Sequence, residues 1–528
     1  MAAAAARLSA LHDDLLQHVL SFAGAKEAAA SAALSRRWRP LWRRTGVLNL
    51  DSRHYSYRYA CFDVFFRDAK AALAASHRRG TALKRLTLFL TEGAYRLLDR
   101  WYSDPEPKED VRVAGLLADP AAAGLEDLRI GSQEQSQCDD MYRPPLGSLP
   151  FAATLRVLEL ERCNLEPPLS ALLAFPRLTD LTLRHCFALE GHLQAMVDNA
   201  PALNSLALVN LRQKPPEPPG SNKTIYLHEA SSLRLRLRCP TVTALVLETH
   251  CLGWHELDDP ANTGIELDMP SLRSFRYSGY PLKLSLASPA PALARVDLDA
   301  TRRDHNVQQY EPTSRMLTSF SSTRALKLRL DNIEDILAGE AILPTFPNLK
   351  LLQHSGGSGE AILLASCPAM SELRLRLEMS HHYWYKTEDP AGGPFGVSMD
   401  RFERLACMSS AHRDAVHLDG VSGLPNALTN SKFSCLETTL RKVTLQFKAK
   451  EVNCFQVRLA KFLVENAMVL QEMHVDDGSQ FWPDHLCHKV PGWRANAFQA
   501  RNLPDTAGFR VYQLANPVID PKKRSGYN

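Results

Sequence analysis

The sequence predicts an α/β protein, built as a short N-terminal helical module followed by a solenoid with a curved parallel sheet. Three observations predict it. The first fifty residues carry leucines and tryptophans at helical spacing. From about residue 83 onward a Leu-x-x-Leu-x-Leu pattern returns repeatedly. A proline stands about two residues ahead of many copies, as at Pro176, Pro201, Pro270, Pro291 and Pro347. There it ends the preceding element and lets the chain turn into a strand.

At 528 residues the chain is long enough for several domains or one extended array. An apolar content of 45% supports a core throughout. The 62 basic and 58 acidic side chains leave a formal charge of +4. That balance is too even for a nucleic-acid or membrane-surface binder. The basic run Lys522-Lys523-Arg524 reads as a solvated tail rather than a nuclear address. No segment reaches the roughly 18 consecutive apolar residues of a membrane span. Met1 to Ala6 lack the basic start and apolar run of a signal peptide. The eleven cysteines form no Cys-x-x-Cys pair, so an intracellular, reduced protein of cytoplasm and/or nucleus is expected. In that setting the sequon Asn222-Lys223-Thr224 carries no meaning.

The segment from Leu8 to Arg44 reads as three short helices. Asp13 and Asp14 favour a helix N-terminus, and Leu15, Leu16, Val19 and Leu20 form its stripe. Gly24 can end it. A second helix runs from Lys26 to about Leu34, and Ser35 is a candidate N-cap for a third containing Trp38, Leu41 and Trp42. Helices this short cannot bury so many large side chains among themselves. Either an apolar patch remains and marks a partner site, or Trp38 and Trp42 close the core against the next domain.

Three stretches resemble the F-box motif, especially its plant members: Leu11-His12-Asp13-Asp14-Leu15-Leu16, Val19-Leu20-Ser21-Phe22 and Leu34-Ser35-Arg36-Arg37-Trp38-Arg39-Pro40-Leu41-Trp42. The resemblance implies a helical module that docks onto the Skp-type adaptor of a cullin-RING ligase. By position in the motif, it implies an interface of Leu11, His12, Leu15, Leu16, Val19, Leu20, Leu34, Trp38 and Leu41. Two places depart from the family pattern. His12 replaces a proline, removing a rigid helix entry and adding a group that can respond to pH. Ala23-Gly24 replaces the usual Leu-Pro.

Behind the module, thirteen copies of the pattern run from Leu83/Leu86/Leu88 to Leu470/Met473/Val475. Most are about 21 to 30 residues apart, the leucine-rich-repeat range. Each repeat buries its leucines only against neighbours, so the ends need caps. Residues near 55–80, with Phe62, Val64, Phe65 and Phe66, are candidates for the first cap. Glu159, Glu161, Thr182, Arg184, Glu248, Arg276, Asp297, Asp299, Arg374 and Arg376 lie between ladder leucines and point outward. Their signs are mixed, so no ligand charge is legible.

The run Lys214 to Gly220 reads as a stiff loop. A longer insertion near 376–439 holds the aromatic cluster His381 to Tyr385 and is expected to pack on the solenoid flank. From Cys435 onward the chain resembles the FBD-type C-terminal region of plant F-box proteins, which implies a helix over Val457–Met468 and a strand over Leu470–Val475. The expected organisation is an F-box over 8–50, a helical linker and cap over 51–82, the solenoid over 83–435, and FBD-like final repeats with a C-terminal cap over 436–528.

Chemistry is not expected in this chain. His354 to Gly359 is followed by a helix-like Glu360 to Ala365, but no Gly-Lys-Ser/Thr or full dinucleotide fingerprint accompanies it. The histidines at 381–382 and 485–488 lack a second ligand pair at zinc spacing. No catalytic residue, metal or cofactor is therefore expected. The resemblance implies a non-catalytic specificity subunit of an SCF-type ubiquitin ligase, the adaptor linking it to a cullin and the repeats binding an unknown protein target, with neither nucleic acid nor membrane as partner. The alternative is a receptor for a small molecule or hormone seated on the concave face.

Overall fold

The computed structural model describes residues 10–55, 61–77, 82–91, 108–133, 142–165, 174–189, 191–214, 234–249, 264–279, 283–300, 316–330, 343–356, 360–377, 428, 431–447, 454–476, 486–504 and 508–513. It forms two compact units, residues 1–273 with 286–292 and residues 274–285 with 293–528.

The first unit opens with three helices, α1 (Asp13–Leu20), α2 (Ala25–Ala30) and α3 (Trp38–Leu41). The second and third are shorter than their apolar spacing suggests, because 3₁₀ turns at Ser31–Ala33 and Trp42–Arg44 replace their last turns. Gly24 does not end α1, which stops at Leu20; it stands instead at the N-cap of α2. Ser35 likewise caps nothing with its side chain, since α3 starts only at Trp38. Helix α4 (Cys61–His77) follows, burying Phe65, Ala69 and Leu73 at four-residue spacing. The side chain of Phe62 lies outside the described residues.

Each of the thirteen leucine copies forms a parallel strand, as an α/β leucine-rich-repeat fold requires. In the first unit the order is β1 (Val47–Asp51), β2 (Arg85–Leu90), β3 (Asp127–Ser132), β4 (Val157–Glu161), β5 (Asp180–Arg184), β6 (Ser205–Val209) and β7 (Ala244–Thr249). In the second it is β8 (Ser274–Gly279), β9 (Arg295–Ala300), β10 (Ala325–Leu330), β11 (Leu351–Gly356), β12 (Glu372–Leu377), β13 (Lys442–Phe447), β14 (Glu472–Asp476) and β15 (Arg510–Gln513). The terminal strands β1 and β15 escape the sequence pattern. Thr45 stands where β1 would carry its first leucine, and β15 offers only Val511 on its inner face.

Register aligns the inner positions across strands: Leu86, Leu128, Leu158, Leu181, Leu206 and Leu245 form one row, and all are buried. Each such side chain contributes about 1.5–3 kcal/mol on burial. One backbone motif holds the stack. The carbonyl ahead of most strands accepts two N–H groups from the next repeat, as Glu126 does from Arg156 and Val157, and Lys350 from Ser371 and Glu372. Prolines at 176, 201, 270, 291 and 347 occupy the turns just before, where their fixed φ fits. The chain leaves β4, β5 and β6 through left-handed Arg162, His185 and Asn210. The residues after them, Cys163, Cys186 and Leu211, are buried.

The insertion's aromatic cluster, the 215–220 proline run and the 522–524 basic run lie outside the described residues. At the C-terminal end, helix α5 (Cys454–Asn466) starts three residues earlier than expected, and helix α6 (Leu486–Ala500) packs beside it. Sequence reading missed α6 because Pro491 sits inside it. Arg494 is what fastens it. Its buried guanidinium donates to the carbonyls of Val464, Ala467, Met468 and Leu470 at 3.0–3.3 Å and stacks on Phe498 and Phe509. Replacing Arg494 with Met leaves those carbonyls without their donor, and should cost about 3 kcal/mol, read as a lower urea midpoint.

One inner strand position among the described residues holds an imidazole side chain. His354 stands in register between Leu328 and Leu375, fully buried, and neither ring nitrogen has a hydrogen-bond partner among the described residues. Burial pushes its pKa from 6.5 to about 4. The unfolded chain therefore binds a proton between about pH 6.5 and 4 that the folded chain refuses, so acid lowers stability through that window. His354→Leu should raise stability and flatten its pH dependence there by roughly 3 kcal/mol. Denaturant titrations at pH 7 and 4.5 with parallel shifts for both proteins would contradict this.

Candidate partner-docking surfaces

The apolar stripe of α1 divides between two faces. Leu16 and Leu20 turn inward with Ala28, Trp38 and Leu41 to make a closed core, against which Leu11, Ala23 and Trp42 pack in part. The rest of the stripe stays open, Leu15 being 53% exposed and Val19 49%, and Phe22 after α1 and Leu34 before α3 are 70% and 69% exposed. Four large apolar side chains in contact with water so close together in sequence make this module a candidate partner surface. Phe22 was not among the residues singled out by motif position; its signal was one more apolar residue three beyond Val19. It meets His18 edge-on, with ring centroids 5.1 Å apart.

Polar contacts fix this geometry. Arg37 donates to Asp13 Oδ1 at 2.7 Å and to the Leu11 carbonyl, joining the start of α1 to the turn before α3. His12 is exposed beside Asp14, its Nδ1 3.2 Å from Oδ2. Asn49 of β1 donates its amide to the carbonyls of Ser21 and Ala23, both at 2.9 Å, which ties the end of α1 to the first strand. Of the nine residues expected at the interface, Leu16, Leu20, Trp38 and Leu41 are thus core, Leu11 is half-buried, and His12, Leu15, Val19 and Leu34 face solvent.

The outward positions of the strands form a second surface. In the first unit an ion-pair chain crosses four strands, Arg85–Asp127 at 2.6 Å, Arg129–Asp127 at 3.0 Å, Arg129–Glu159 at 3.2 Å and Arg184–Glu159 at 3.1 Å. In the second, Arg295 and Arg276 both meet Asp297, Arg329 meets Asp299, and Lys442 and His474 meet Glu472. Individually such pairs are worth at most about 1 kcal/mol.

Residues 113–252 match a family profile described as FBD-associated F-box protein At5g56370, LRR repeats. The F-box/FBD/LRR-repeat protein At1g80470 of Arabidopsis thaliana is 24% identical over 387 residues, covering 70% of this chain and 73% of the relative. The putative F-box/LRR-repeat protein At5g41840 of the same plant is 24% identical over 401 residues, 72% of this chain and 70% of the relative. Over 48 residues, 9% of this chain and 26% of the relative, identity to the putative FBD-associated F-box protein At3g12840 of Arabidopsis thaliana rises to 54%. Over about 70% of its length the chain is thus similar to F-box/FBD/LRR-repeat and F-box/LRR-repeat proteins of that plant.

The described thiols Cys163, Cys186, Cys239, Cys367 and Cys435 are outside any disulfide and buried. The Cys163 thiol, hydrogen-bonded with Cys186 and buried, is held well above the ordinary range, and burial pushes Cys435 up to about 11. Such thiols pack as small apolar groups. Among the described residues no His, Cys, Asp and Glu group is arranged to hold a metal, and no helix is long and apolar enough to cross a membrane.

Asn49→Ala removes the two side-chain hydrogen bonds between α1 and β1. It should lower stability by about 1–2 kcal/mol and speed amide exchange at Ser21 to Gly24 more than at β4, by hydrogen-exchange mass spectrometry.

Proposed function

We propose that this chain is the substrate-recognition subunit of an SCF-type cullin-RING ubiquitin ligase. Its F-box, over 8–50, binds a Skp-type adaptor and through it a cullin, while the repeats bind a target protein. The observation that carries the reading is the exposed set Leu15, Val19, Phe22 and Leu34 on a module whose own core is already filled. These four supply the buried apolar contact on docking, and Leu16, Leu20, Trp38 and Leu41 hold them in place. His12 and Leu11 lie at the entry to α1, where the family's proline is missing. Catalysis belongs to other subunits. This chain contributes proximity, holding a target where ubiquitin is transferred, and works inside the cell, in cytoplasm or nucleus.

Charged, ion-paired outward positions on β2–β5 and β9–β14 favour a protein target over an apolar small molecule. The final repeats and helices from 436 onward serve as the end cap, covering the last leucines of the stack.

Pull-down on an immobilised Skp-type adaptor tests the adaptor assignment. Leu15→Asp with Leu34→Asp should keep the fold, since both side chains are exposed, and should lose adaptor binding by tenfold or more, about 1.4 kcal/mol. Phe22→Ala should weaken it by about 1 kcal/mol or more. Unchanged capture of the double variant, or none of the intact protein, would overturn the assignment.

A further inference from the structure

The sequence offers Ser35 as a helix cap, yet its hydroxyl caps nothing. Four hydroxyl side chains lie between residues 10 and 45. Ser21 donates to the His18 carbonyl at 2.6 Å, Ser31 to that of Ala28 at 2.6 Å and Thr45 to that of Trp42 at 2.9 Å. Ser35 alone of the four makes no side-chain hydrogen bond among the described residues, and it is exposed. It stands in the irregular step between the 3₁₀ turn Ser31–Ala33 and α3, where its carbonyl accepts the Trp38 N–H at 3.2 Å.

Its neighbours on both sides bear on what this hydroxyl can do. Leu34, the residue before it, is 69% exposed and belongs to the open apolar set with Leu15, Val19 and Phe22. Arg36, Arg37 and Arg39 follow it. Arg37 is committed to Asp13 Oδ1 and the Leu11 carbonyl. Arg36 and Arg39 are exposed and have no partner among the described residues. A free hydroxyl followed at once by unpaired guanidiniums suits the acid-lined site of a transferase, because each guanidinium presents a fork of donors to carboxylates.

We propose that Ser35 is a phosphorylation site, and that phosphate there closes the apolar surface of the helical module to the adaptor. In the transfer, Ser35 Oγ bonds to the γ-phosphorus of ATP as the bond to the β,γ-bridging oxygen breaks. ADP leaves, and the hydroxyl proton passes to a carboxylate base of the protein kinase. The product carries nearly two negative charges beside Leu34. Docking that buries Leu34 must then strip water from that charge, at a cost larger than the apolar contact returns. Phosphorylation and docking use the same side of the module, so each opposes the other. The inference rests on the adaptor reading and names how that surface is switched off.

The test uses the full-length chain made with phosphoserine at position 35 by genetic-code expansion. Beside it stand the unmodified chain, Ser35→Ala, and a chain carrying phosphoserine at Ser434, an exposed serine of the second unit. On an immobilised Skp-type adaptor the Ser35 phosphoform should bind at least about tenfold more weakly than the other three. Its urea midpoint should match that of the unmodified chain. In a second arm, the unmodified chain meets ATP and the catalytic domain of a kinase that selects basic residues after its acceptor. Peptide mass spectrometry should find the phosphate on Ser35, and Arg36→Gln with Arg39→Gln, or excess adaptor, should slow its arrival several-fold. Equal capture of the two phosphoforms, a loss that comes with a lowered urea midpoint, or no transfer to Ser35 would overturn the proposal. So would transfer that ignores both the arginines and the adaptor. Failure of the unmodified chain to bind adaptor is a separate result: it overturns the adaptor reading, and this inference with it.

Discussion

Within each unit the ladder leucines are buried against those of neighbouring strands and against the elements between them, as Leu373 and Leu375 are against Leu363, Leu364, Leu459 and Leu463. That single constraint sets the rest of the molecule. A parallel ladder of this kind has no independent core to fall back on, so each repeat must match its neighbour in register, turn and depth. The carbonyl ahead of most strands, accepting two N–H groups from the next repeat, enforces the match in the backbone. The leucine rows enforce it in the side chains. Because inner faces are consumed by this stacking, what remains for partners is the outward charged face and the helical module at the start.

The ends show the same constraint from the other side. Asn49 ties the helical module onto β1, and Arg494 fastens α6 onto the turn between α5 and β14 by capping carbonyls there. Both are polar devices at places where the repeat pattern stops supplying leucines. His354 is a polar group in the opposite situation, inside the pattern and unpartnered among the described residues. It marks a weak layer in an otherwise apolar stack.

Much of the ladder was legible because three apolar residues at fixed offsets survive in nearly every internal copy, with Thr323 and His354 as the polar exceptions. Strands β1 and β15 were not, since β1 has Thr45 in place of the first leucine and β15 offers only Val511 inside. Helix α6 was hidden by Pro491, whose usual meaning is a helix boundary. In the helical module the apolar spacing marked where α1–α3 form but not which side chains turn inward. Leu15 and Leu16 are adjacent leucines in one stripe, and only the packing of Trp38 and Leu41 decides that Leu16 turns in and Leu15 out.

The account assigns adaptor contact to the helical module and leaves the ladder's outward face for another partner. Hydrogen-exchange mass spectrometry of the full chain, with and without a Skp-type adaptor, tests that division most directly. It predicts new protection in peptides spanning residues 11–22 and 31–41 and unchanged exchange across β9–β14. Protection appearing on those strands, with the helical module unaltered, would contradict it.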